Sequence, residues 1–92
     1  TRPAATTTPR HRGDTVDTIR QAVKRLGKEA ATHRFTDEEK RALADIVYSY
    51  RRRGIRTSEN ELTRIGIHFL LDDYRINGAN SVLGLVLERL NA

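Results

Sequence analysis

Lys28, Ala30, Thr32 and Arg34 stand two residues apart in the segment KEAATHRF, so an extended backbone puts all four on one face. A short strand that shows threonine beside arginine offers a hydroxyl, a methyl and a guanidinium fork on one surface, a combination that points to DNA. Glu29, Ala31, His33 and Phe35 take the opposite face, where Phe35 anchors the strand to a core and His33 reads as a packed neutral imidazole. The remaining reactive side chains assemble nothing. His68 stands alone and His11 lies near the start. There is no His-x-x-x-His pair, no carboxylate cluster and no Gly-rich phosphate loop. With no nucleophile placed beside a base, the expectation is a protein that is not an enzyme and takes no metal or cofactor.

Composition narrows the partners. Ninety-two residues allow one small domain and a tail. The chain opens on Thr1 rather than Met, which reads as a trimmed fragment, and shows no signal-peptide pattern or membrane-length apolar run. The absence of cysteine fits a reducing cytoplasm. The net charge of +5 and sequence pI near 10.2 favour a polyanion. That charge is not spread evenly. Residues 1–34 hold eight Lys/Arg against three acids, whereas residues 35–92 hold nine of each. The pattern is a basic arm on a neutral body.

The elements that must position these residues follow from periodicity. Residues 1–27 read as a flexible basic tail, because TRPAATTTPRHRG has almost nothing large and apolar to offset the entropy of ordering. Within it, Val16, Ile19, Val23 and Leu26 make a narrow stripe, which predicts a marginal helix over 15–26 that needs a partner surface or DNA. The body is expected over 28–92. After the strand, Thr36 and Glu39 have capping-box spacing, and Ala42, Leu43, Ile46, Val47 and Tyr50 form the apolar stripe of a helix that the RRRG turn ends. Ser58 and Glu61 repeat the capping spacing, with Thr57 as the alternative cap. Leu62, Ile65, Gly66, Phe69 and Leu70 then make an arc wider than one partner helix can cover. Gly66 inside that helix predicts a close crossing with another helix, such as a dimer axis would supply. A third helix is expected over 80–90 on Val82, Leu83, Val86, Leu87 and Leu90.

The order of strand, capped helix, basic Gly turn and second capped helix resembles the ribbon-helix-helix family, the MetJ/Arc/CopG type of DNA-binding protein. THRFTDEEKRAL, RRRGIRTSENEL and the helix ending in LLDDY carry the likeness, over about residues 30–75. The resemblance implies a mainly α fold with one short β-strand per chain. Two strands pair into an intermolecular antiparallel two-stranded sheet in an intertwined homodimer, here with an extra C-terminal helix. It implies a dimer core of Phe35, Leu43, Ile46, Val47, Leu62, Ile65 and Phe69. The β-ribbon would enter the major groove of double-stranded DNA, with Thr32 and Arg34 reading bases and Ala30 beside them. Ala30 departs from the long polar residue often found there, which puts readout at that position in doubt. Lys28, beside the ribbon, would touch phosphate, and Arg56, Thr57 and Ser58 would hold phosphate at the start of the second helix, where free amides and the dipole favour an anion.

Within the family, a basic tail and an extra terminal helix look most like the plasmid-partition centromere-binding proteins of ParB/ParR type. Those coat repeated sites in bacterial cytoplasm, engage a ParA-type ATPase through the tail and autoregulate transcription. By that likeness Arg2, Arg10 and Arg12 are candidates for motor or nonspecific DNA contact. A transcriptional repressor or an antitoxin, with residues 79–92 binding a toxin, is the alternative. A helical protein-interaction adaptor without DNA binding is the rival from another class.

Overall fold

The computed structural model describes residues 12–92. Four α-helices follow in chain order: α1 Arg12–Lys24, α2 Asp37–Arg51, α3 Glu59–Asn77 and α4 Val82–Leu90, with a short 3-10 turn Gly78–Asn80 before the last. The described residues are 73% helix and contain no strand or sheet.

The expected strand is therefore corrected. Residues 26–36 form neither helix nor strand, and every one of them is exposed. The physical reason is twofold. A strand must pair its amides and carbonyls, and no second extended segment lies beside this one among the described residues. Alternation also needs a buried face, yet Phe35 is 43% exposed and His33 is exposed rather than packed. Without the strand there is no ribbon and no two-stranded sheet, and the ribbon-helix-helix architecture with its intertwined, sheet-joined homodimer falls with them. Thr32, Arg34 and Ala30 lie on an irregular exposed segment instead.

The helices have local causes. Thr36 caps α2 reciprocally: its hydroxyl accepts from the Glu39 amide at 3.1 Å and its amide donates to the Glu39 carboxylate at 2.8 Å. Asp37, Glu38 and Glu39 face the positive dipole end. Gly54, at φ 81, takes the left-handed position that stops α2, while the Ile55 amide returns to the Tyr50 carbonyl at 2.9 Å. The cap of α3 differs from the expected box. Ser58 accepts from the Glu61 amide at 3.1 Å, but the Glu61 carboxylate accepts from the Thr57 hydroxyl at 2.7 Å instead of returning to the cap.

Two joints organise the rest. The Arg64 guanidinium of α3 donates to the carbonyls of Arg25 at 2.6 Å, Val23 at 3.2 Å and Ala22 at 3.3 Å. These carbonyls belong to the last turn of α1 and the residue after it, and the Ala22 carbonyl also accepts from the Arg25 amide at 3.2 Å, so one cation gathers the carbonyls of the helix end and complements its negative dipole. At the other end, the Asp73 carboxylate accepts from the amides of Val82 at 2.8 Å and Leu83 at 3.4 Å, and Ser81, 1% exposed, caps the Gly84 amide at 2.9 Å. One α3 side chain thus hangs α4 by its N-terminus.

The core is thin. Ile19 of α1 is the only buried apolar residue among those described, while nineteen large apolar or tyrosine side chains are exposed. No described helix is long and apolar enough to cross a membrane.

Candidate nucleic-acid interface

Basic residues gather where α2 turns into α3. The capping box fixes where α2 begins, and its 15-residue length delivers Arg51, Arg52 and Arg53 to the Gly54 turn. The structure sorts these arginines. Arg52 stacks its guanidinium 5.9 Å from the Tyr48 ring centroid and Arg53 lies 5.1 Å from that of Tyr50. Such cation–π contacts are worth about 0.5–1 kcal/mol when exposed. Arg51 instead joins Arg56 and Thr57 around a cavity of about 270 Å³. This corner adjoins the start of α3, where the dipole adds positive potential. Two arginines line this corner beside a helix start, an arrangement suited to a phosphate oxygen, while the Thr57 hydroxyl gives its proton to the Glu61 carboxylate at 2.7 Å. Ser58 is committed to capping Glu61, so its hydroxyl oxygen serves the helix first.

The remaining candidates lie elsewhere. Lys28, Ala30, Thr32 and Arg34 are all exposed on residues 26–36, outside any sheet, and make no hydrogen bond or ion pair with other described residues. They are not brought to the Arg51–Arg56 cavity. Arg12 is exposed at the first position of α1 and lines a separate groove between α1 and α3. Arg2 and Arg10 lie outside the described residues. Of the proposed dimer-core residues, Leu43, Val47 and Leu62 are half-buried, whereas Phe35, Ile46, Ile65 and Phe69 are exposed. Gly66 has open space where a Cβ would stand, so no close helix crossing occurs over it among the described residues. No group of three His, Asp or Glu positioned for a metal occurs among the described residues.

In the sequence Arg51 is legible only as part of the RRRG turn that ends α2. The signal was present in part: Tyr48 and Tyr50 lie four and three residues before Arg52 and Arg53, the spacing of neighbours on a helix face. Compared with known protein families, curated proteins and solved structures, the chain shows no match to any.

Proposed function

We propose that this chain is a DNA-binding protein that acts as a homodimer. The observation that carries the reading is the corner where Arg51, Arg56 and Thr57 meet beside the start of α3. It would hold a backbone phosphate, while the basic N-terminal third adds nonspecific attraction. Arg34 and Thr32 would reach base edges as parts of an exposed irregular arm, with Ala30 alongside and Lys28 touching phosphate. The homodimer is supported by the apolar side chains that one chain leaves uncovered.

The finer reading is a plasmid-partition centromere-binding adaptor in the bacterial cytoplasm. Its dimers would assemble on repeated sites and regulate their own promoter, and Arg2, Arg10 and Arg12 would engage a ParA-type ATPase or DNA. A repressor or antitoxin is the second reading, favoured by α4, whose Val82, Leu85, Val86 and Leu90 are exposed and available to a protein partner.

A mobility shift with random duplex at two salt concentrations tests the reading. Binding that weakens steeply with salt, and weakens further in the Arg51→Ala/Arg56→Ala chain, is the expected result. Absence of binding at low salt would overturn it. Footprinting on the chain's own promoter then separates tandem repeats, expected for partition, from a single palindrome, expected for a repressor.

A further inference from the structure

The molecule contains a helix without a seat and a seat without a helix. Helix α2 has capped ends and an apolar stripe through Leu43, Ile46, Val47 and Tyr50, yet none of its residues is buried. It does not touch α1, and its named tie to α3 is the exposed Lys40–Glu59 ion pair at 2.8 Å. Exposed pairs contribute about 0–1 kcal/mol, and a helix of this length is marginal without packing. Between α1 and α3 lies an open groove of about 750 Å³ with an apolar floor of Val16, Ile19, Val23, Ile65 and Phe69. Its rim carries Arg12, Arg20 and Lys24 against one acid, Glu61.

We infer that the α1–α3 groove of each chain receives α2 of a second copy, reciprocally. This rests on the homodimer of the preceding reading and specifies its contact. Three observations choose this occupant. The first turn of α2 holds Asp37, Glu38 and Glu39, opposite in sign to the groove's cationic rim. The apolar stripe of α2 is only partly covered within its own chain, with Leu43 and Val47 half-buried and Ile46 and Tyr50 exposed. The exposed surface is large enough to supply the roughly 2,000 Å² or more that obligate homodimers bury. Reciprocal seating makes the contact isologous, so the assembly closes at two chains instead of growing into a fibre. The Arg64 clamp acquires a purpose in this arrangement, since it holds α1 in place as one wall of the groove.

The chain has no cysteine, which makes the test clean. One full-length chain carries Val16→Cys on the groove wall and another carries Ile46→Cys on the α2 stripe. The two are mixed and oxidised, and each is also oxidised alone. Sedimentation of the unmodified chain should give twice 10.5 kDa, and the mixture should yield the cross-linked pair of unlike chains as its main product. A well-folded monomer at micromolar concentration overturns the inference. So does a dimer in which Ile46→Cys links to its own kind and the mixed product is missing. The mobility shift separates this from the functional reading. A mixed cross-link in a dimer that ignores DNA supports the contact and sinks the nucleic-acid assignment, whereas DNA binding by a strictly monomeric chain does the reverse.

Discussion

Single side chains divide here into those that hold the fold and those left free to meet a partner. Arg64 belongs to the first kind. Replacing it with alanine removes charge-assisted hydrogen bonds to three carbonyls, a loss of about 1.5–3 kcal/mol in a part-buried setting. The expected outcome is faster amide exchange across residues 16–24 with little change in α3. Uniform acceleration along the chain would show that α1 and α3 open together. Arg34 belongs to the second kind. With no partner among the described residues, Arg34→Ala should leave thermal stability unchanged. It should remove about 1–3 kcal/mol of preference for the correct site over random duplex if it reads a guanine. Equal loss on both DNAs would assign it to phosphate.

Glycines expose the difference between open and closed surfaces at the scale of the helix. A Cβ on Gly84 would stand 2.7 Å from the Ala79 carbonyl oxygen and 3.1 Å from its carbon, both backbone atoms that cannot rotate away. Gly84→Ala should therefore destabilise the α3–α4 joint by about 1–3 kcal/mol, read as a lower melting temperature. Gly66→Ala meets nothing within 4 Å and should raise stability by about 1 kcal/mol through helix propensity alone. A fall in its melting temperature would mean that a second chain passes over that position. The two substitutions look alike in sequence and carry opposite signs in the structure. Legibility follows the same line. The Thr36–Glu39 box and the Gly54 stop were readable because cap and helix lie within four residues. The Arg64 clamp joins residues 39 to 42 positions apart and left no local trace. The alternation at 28–35 misled, because a period of two is necessary for a half-buried strand but does not supply its neighbour.

For the molecule as a whole, charge rather than shape carries the prediction. The positive excess lies in the first third, and the folded remainder is balanced. The logarithm of DNA affinity should fall linearly with the logarithm of salt, with a slope of about −0.9 for each phosphate neutralised. Replacing Arg51 and Arg56 together should flatten that slope, whereas replacing Arg52 and Arg53, stacked on their tyrosines, should flatten it less. An identical flattening from both pairs would show that the arginines act as one diffuse patch. The candidate site was legible as a basic turn; which of its arginines faces the cavity depends on how the tyrosines stack, and that belongs to three dimensions.

The guanidinium that pins α1 also sets a leash. Residues 25–36, free of regular structure, could span about 40 Å if pulled straight. Were the pin withdrawn, a cationic helix would sweep a radius longer than one full turn of duplex, about 34–36 Å, while its chain stayed anchored. Grip at the anchor and search at the far end would then be separate motions of one small protein, governed by Arg64 and the apolar contact of α1 with α3 around Ile19.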